Sequence, residues 1–352
     1  MSAAVSIRTT DPQYVKEPAA SAFHKWAASL VLDERDVPFV KLIVQASVVM
    51  FPFAALLFWK FHWALAIAYV VVNLTVFVDR FILMLHNTSH RPLFKPAYRL
   101  WNHYIPWVLG PFFGETPETY FAHHLGMHHP ENNLPDDLSS TMKFERDNLF
   151  HWLRYFGRFF FFGIVELTMY LVGKGRGKLA RKCLSGEFLF FALVVGLSFV
   201  SWKATFTVFV VPFLFVRFAM MCGNWGQHAF IDAARPGNAY VNSITCINTR
   251  YNRRCFNDGY HIGHHIKSNR HWTEMPSDFE KNVARYAEEG AIVFDGIDFF
   301  QVWMFLMARR YDKLAAHYVN LSDQPKSKDS IVALLKERTR PIPVAVPEAK
   351  AA

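Results

Sequence analysis

Charge is scarce in this chain. Asp, Glu, Lys and Arg make up 19% of its 352 residues, against 52% apolar residues and 16% aromatics, 35 of them Phe. That balance excludes an ordinary soluble enzyme and fits a membrane protein with polar parts. Cysteine is also scarce. Cys183, Cys222, Cys246 and Cys255 form no C-x-x-C pair, which points to reduced thiols facing the cytosol or the bilayer. There is no E-x-x-H, which disfavours a soluble two-metal helical bundle of the ferritin type. There is no H-E-x-x-H, the mark of a zinc protease, and no Walker or G-x-G-x-x-G motif for a nucleotide. Residues 173–178 are rich in glycine and lysine but lack P-loop spacing. Met1 to Asp36 is polar and mixed in charge, without the pattern of a signal peptide. The formal charge of +9 suits an anionic membrane surface or a nucleic acid, and the long apolar blocks favour the membrane.

Those blocks set the expected organisation. Residues 39–59 and 63–85 each reach the roughly 20 residues that span a bilayer. Only Lys60, Phe61 and His62 part them, between Trp59 and Trp63. A short turn flanked by interfacial tryptophans reads as a transmembrane hairpin. A second hairpin is expected from 188–202 and 205–222, with Trp202 at its turn. Residues 99–114 are apolar but short and broken by Pro106 and Pro111, so an interfacial or re-entrant segment is expected. Residues 152–172 are apolar yet hold Arg154, Arg158 and Glu166. The five cations of 174–182 mark a cytosolic segment. An amphipathic helix lying in the interface is therefore expected at 152–172. The fold class is an all-α membrane protein, with two hairpins (four spanning helices), interfacial helices and a cytosolic helical cap. Its parts are a cytosolic tail at 1–38 with a surface helix near 20–32, a membrane domain at 39–290, an amphipathic helical region at 291–340, and a disordered Pro- and Ala-rich tail at 341–352. Both termini are expected in the cytosol.

Histidine is what the chain has in concentration. Residues 123–129 hold four of them: His123, His124, His128 and His129. Neutral imidazole is the commonest metal ligand in proteins, and such clusters are the usual trace of a metal site. His124 and His128, four apart, share one face of a helix, and His129 widens it. His86 and His90 follow the first hairpin at the same spacing. His228 follows the second, four residues after Asn224, and His261, His264 and His265 come next. Two hairpins return the chain to one side, so all these clusters meet there. Nine ligands exceed the needs of one tetrahedral zinc and fit two metal ions. Imidazole suits Fe, Zn and Cu, and an all-nitrogen pair with open positions suits redox iron with O2. Carboxylates that orient the imidazoles are also expected. Asp258, three before His261, leads over Asp79, Glu118 and Asp136.

H-x-x-x-H, H-x-x-x-H-H, N-x-x-x-H and H-x-x-H-H, in this order around two hairpins, resemble the membrane fatty acid desaturase superfamily, which also holds membrane hydroxylases. The resemblance covers about residues 40–290. It implies a non-haem diiron centre that uses O2 as co-substrate and removes hydrogen from an unactivated C–H bond. It implies His86, His90, His124, His128, His129, His228, His261, His264 and His265 as ligands, and Asn224 reaching the metal through water. His123 is a candidate support beside the site. The substrate would be a lipid or acyl chain in the membrane. Electrons would come from a separate donor of the ferredoxin, rubredoxin or cytochrome b5 type, since no H-P-G-G of a fused cytochrome b5 occurs. A fatty acyl desaturase is the first reading. Many desaturases have H-x-x-H-H in the second box, and the longer spacing from His124 is that of alkane hydroxylases, so a hydroxylase is the alternative. A histidine-rich metal transporter is the third reading. It is disfavoured because a transporter would place its ligands near the bilayer midplane.

Overall fold

A computed structural model describes residues 7–16 and 21–343. The first helix, α1 (Ala22–Leu30), matches the expected surface helix and exposes Phe23 and Trp26. α2 (Val37–Trp59) and α3 (Trp63–His90) form the first hairpin. α3 carries a π turn at Asn73–Phe77, and its last two turns leave the apolar run to present His86 and His90.

Four stretches among the described residues are long and apolar enough to cross a membrane: Glu34–Trp59, Trp63–His90, Leu149–Gly173 and Gly177–Gln227. The last is not one rod. Glu187 and Arg217 are 30 residues apart, roughly 45 Å along a straight helix, yet their side chains pair at 3.0 Å. The Phe190 and Phe213 rings stack at 5.5 Å. The chain folds back where Ser201 leaves helical geometry, with φ −158° and ψ 97°. This is the expected second hairpin. Lys203 joins the two hairpins' turns, its ammonium lying 5.9 Å from the Phe61 ring and 6.0 Å from Trp63, an electrostatic contact with the ring faces.

The segment before the second histidine cluster dips between the hairpins. Phe112 meets Phe51 at 4.9 Å and Phe209 at 5.1 Å, and Phe113 stacks on Phe81 at 4.5 Å. Gly114 ends this dip with φ +77°, and a Cβ there would lie 2.3 Å from the Pro212 carbonyl oxygen. Only glycine fits such a position. A short helix follows, α4 (Thr119–His123), running into a π turn at His124–His128.

α5 (Leu149–Gly173) is long enough to cross, but its contacts place it flat. Near its start Trp152 meets Trp303 at 5.0 Å, and the Tyr155 hydroxyl pairs with Asn224 at 2.7 Å. Beyond its end Lys174 reaches Glu131 and Asp136, each at 3.0 Å. Both ends thus pack against the histidine-bearing side. Phe150, Leu153, Phe161, Val165, Met169 and Val172 are exposed along one stripe, as in a helix lying in the interface plane. α6 (Gly177–Thr205) and α7 (Val211–Gln227) are the arms of the second hairpin.

The cap is not wholly helical. β1 (Ile244–Ile247) pairs in parallel with β2 (Ile292–Asp295), Ile244 opposite Ile292. Between them lie α8 (His261–Ile266) and α9 (Met275–Glu289). Then comes α10 (Phe299–Met307). Part of the expected N-terminal tail is stitched onto this cap. Asp11 Oδ2 accepts from the Asn248 amide at 2.7 Å, Asn252 at 2.9 Å and the Tyr260 hydroxyl at 2.7 Å. At the other terminus Ile342, expected in the disordered tail, is held by the fold. The Ile342 amide donates to the Met142 carbonyl at 2.8 Å, and its side chain is buried. Residues 344–352 lie outside the described residues.

This arrangement puts the turns at 60–62 and 201–203 on one face and the α5–α6 turn on the other. Cysteines placed at the exposed Lys60 and Lys203 are expected to react with a membrane-impermeant maleimide from one side of sealed vesicles, and one at Lys178 from the opposite side. The four native cysteines are buried and give little background. Labelling of the Lys178 site from the same side as the Lys60 site would refute the flat placement of α5.

Candidate metal centre

All nine histidines converge. His86, His90, His124, His129 and His264 form one group, and His128, His228, His261 and His265 a second. Within each group one ring nitrogen per residue lies within 4.8 Å of all the others. In the first, Nε2 of His86 is 2.9 Å from Nε2 of His264, and Nε2 of His90 is 2.8 Å from that of His124. In the second, Nε2 of His265 is 3.0 Å from Nε2 of His261, which is 3.3 Å from that of His228. The groups adjoin, with the His129 and His265 rings 5.1 Å apart.

Local geometry explains the division. Two of the boxes are split between the groups, and His86 and His90 stay together in the first. In α8, His261 and His265 sit four apart on one face and enter the second group, while His264 faces the first. In the second box the one-residue-longer spacing is taken up by the π turn, where the His129 amide donates to the His124 carbonyl five residues back. π turns insert one residue into a helix and occur often at functional sites. The result brings His124 and His129 together, Nε2 to Nε2 at 3.1 Å. His128, expected to share a face with His124, turns to the second group instead.

The chemistry of the donors tests whether a cation fits. His228 Nδ1 lies 2.9 Å from the Asn242 carbonyl oxygen. A carbonyl only accepts, so Nδ1 carries the proton and Nε2 turns a bare lone pair toward His261. His86 Nδ1 lies 2.8 Å from Asp258 Oδ1, and His128 Nδ1 2.7 Å from Asp137 Oδ2. These contacts assign the same tautomer. Lone pairs aimed at one another repel unless a cation stands between them, so both groups fit a metal ion. Burial pulls the imidazoles of His124, His129, His261, His264 and His265 well below their usual range, neighbouring histidines adding to the effect. The imidazole of His228 falls to about 4 for the same reasons. They are neutral at physiological pH, the form that binds metal.

The supporting residues differ in part from expectation. Asp258 is where the sequence pointed and also accepts from the Tyr251 hydroxyl at 2.7 Å. Asp136 faces water and pairs with Lys174. Its neighbour Asp137 does the orienting, itself held by the Ser139 amide at 2.7 Å and the Asn133 amide at 3.0 Å. Burial alone would raise the Asp137 carboxyl, but His128 and Ser139 hold it well below its usual range. The Asp-Asp pair was visible in the sequence, but not which member turns inward. Asn242 carried no signal there at all. Asp79 serves elsewhere, pairing with Arg254 at 2.7 Å, and Glu118 accepts from Trp107 Nε1 at 2.9 Å. His123 is partly buried and joins neither group, its ring 6.3 Å from that of His128. Asn224 also stands outside both, its Nδ2 donating to the Ser139 carbonyl at 3.0 Å and lying 2.7 Å from the Tyr155 hydroxyl.

A cavity of about 450 Å³ opens beside the histidines. His86, His124, His128 and His261 line its roof, and Asn224 its side. Below them the walls are mostly apolar, with Leu74, Ile82, Leu167, Phe215 and Met220 among them.

The family model described as fatty acid desaturase matches residues 61–296, two thirds of the chain. The match takes in all nine histidines and leaves α2 outside. No curated protein and no solved structure matches the chain.

Removing a group that orients a metal ligand from behind typically costs about 10–100-fold in metal affinity or activity. Asp137→Asn and Asp258→Asn are each expected to lower bound metal by that order in elemental analysis of purified protein. Asp136→Asn is expected to leave it unchanged. Retention of full metal by Asp137→Asn together with loss by Asp136→Asn would refute the assignment.

Proposed function

Because the chain belongs to the fatty acid desaturase family, we propose that it is a membrane-bound, O2-dependent lipid desaturase working through two non-haem irons. The observation that carries this reading is the pair of adjoining histidine groups roofing an apolar cavity. In this reading all nine histidines are ligands, five to one iron and four to the other. A pair of irons held there would supply O2 activation and removal of hydrogen from an unactivated C–H bond.

The protein's own residues have separate tasks. Leu74, Ile82, Leu167 and Phe215 take the hydrocarbon chain and exclude water, so that the reacting carbons lie against the histidine roof. Asp258, Asp137 and the Asn242 carbonyl hold three imidazoles in the tautomer that leaves Nε2 free. Asn224, with its amide nitrogen already engaged, keeps a carboxamide oxygen to hold a water beside the second group. The expected membrane orientation places the histidine roof and both termini in the cytosol, and electrons come from a separate donor protein there.

Hydroxylation of the same C–H bond is the second reading. The longer second box, absorbed in the π turn at His124–His128, is what favours it.

Expression in a host whose lipids are profiled by mass spectrometry tests both. A desaturated lipid with two hydrogens fewer is expected with the wild type and absent with His264→Ala. A product heavier by one oxygen would replace the first reading by the second. Elemental analysis is expected to find about two irons per chain. Active protein with stoichiometric zinc and no iron would overturn both readings.

A further inference from the structure

The cavity below the histidines is not wholly apolar. Glu115 lines one wall and Arg217 another. Arg217 is held from behind. Its Nη2 pairs with Glu187 Oε1 at 3.0 Å, its guanidinium carbon lies 4.3 Å from the Phe213 ring centre, and Glu187 also accepts from Thr116 and Thr119 at 2.5 and 2.9 Å. That network explains Glu187 and most of Arg217. It leaves two groups over. Arg217 Nε is enclosed without a partner, and the Glu115 carboxyl makes no hydrogen bond among the described residues, its Oε1 fully enclosed. Glu115 is only 7% exposed.

A buried polar group without a hydrogen bond costs on the order of 1–3 kcal/mol and calls for an explanation. A scaffold role does not supply one, because Glu115 ties nothing together. A purely hydrocarbon ligand would leave the cost in place. A carboxylate ligand would bring a third acid beside Glu115 and Glu187, where Arg217 is already neutralised. A neutral hydroxyl suits the two side chains where they line the cavity, since it can donate to the carboxyl group and accept from the guanidinium group without adding charge. Burial pushes the Glu115 carboxyl up to about 8, with Arg217 opposing and Glu187 adding. The site is therefore close to neutral overall and gives no advantage to a charged head group.

The position relative to the histidines matters as well. Tyr120, which lines the same cavity, stacks on His124 at 5.1 Å. Phe159, 5.8 Å from the Arg217 guanidinium, is 6.4 Å from the His123 ring. The polar spot and the histidine roof thus line one cavity, so a group bound there shares it with the reacting carbons.

We propose that Glu115 and Arg217 form a hydroxyl-binding subsite within the cavity, so that the substrate is a lipid chain bearing a neutral hydroxyl close to the carbons that react. This rests on the proposed function only in taking the cavity as the substrate's place.

Equilibrium binding of radiolabelled dodecane, 1-dodecanol and dodecanoate to full-length protein in nanodiscs tests it without reductant or turnover. Comparing variants at one lipid composition cancels partitioning into the bilayer. One hydrogen bond to a buried carboxyl corresponds to about a tenfold preference for the alcohol over the alkane. The wild type is expected to show that preference, Glu115→Gln to keep most of it, and Glu115→Met, apolar and of similar shape, to lose it to within about twofold. An alkanol carrying a diazirine beside its hydroxyl is expected to label the segment 112–120 of the wild type, a readout that needs no variant. Equal preference in wild type and Glu115→Met, tightest binding of dodecanoate, or labelling confined to the cap would each overturn the proposal. Because no catalysis is involved, a failed contrast leaves the iron and product tests of the reaction untouched, and their failure leaves this contrast standing.

Discussion

The constraint on which the site depends is the gathering of nine imidazoles, six buried and three partly buried, whose free nitrogens point at one another. Without a cation, such lone pairs repel and leave polar atoms unsatisfied in a region that water hardly enters. The outer shell resolves half of this problem. A carbonyl behind His228 and carboxylates behind His86 and His128 fix the proton on Nδ1 and turn Nε2 inward. The inward-facing set then fits a metal ion, and burial keeps it deprotonated, the form that binds one.

Holding that shell in place takes long-range structure. The hairpins deliver His86, His90 and His228 to one level, because each returns the chain to the side it left. The cap supplies His261, His264 and His265 from a short helix set between two parallel strands. Arg146 fastens the loop after the second box. It is fully buried and donates to the Ala229, Met142, Arg338 and Arg340 carbonyls at 2.9, 3.1, 2.9 and 2.7 Å. No carboxylate pairs with it among the described residues, so its charge is spread over backbone dipoles. α5, lying flat, closes the cavity from the membrane side. It presents lipid-facing aromatics outward and Tyr155, Phe159 and Leu167 inward.

The cavity joins two kinds of surface for a physical reason. A hydrocarbon chain is held by apolar area and gains no direction from it, since the hydrophobic effect is non-directional. Fixing which carbon faces the histidines needs either shape or a directional contact. Glu115 and Arg217 are two groups lining the cavity that can provide the second.

Much of this was legible in the residues themselves. Run length marked both hairpins, because spanning a bilayer is a matter of local length and polarity. Interfacial tryptophans marked their turns. Histidine spacing marked the candidate metal site, because side chains that meet from one helix must recur with the helical period. The mixed polarity of 152–172 and the cations after it marked a helix whose two ends both return to the histidine side. What no local pattern held was the allocation of the nine histidines into five and four. That depends on which faces of four separate segments meet. A π turn set inside the second box moved His128 away from His124 and brought in His129. The inward turn of Asp137 rather than Asp136, the Asn242 carbonyl behind His228, the clasp at Arg146 and the parallel strand pair belong to the same class. Each is a contact between residues far apart in the chain, decided by how the helices pack and not by the residues beside it.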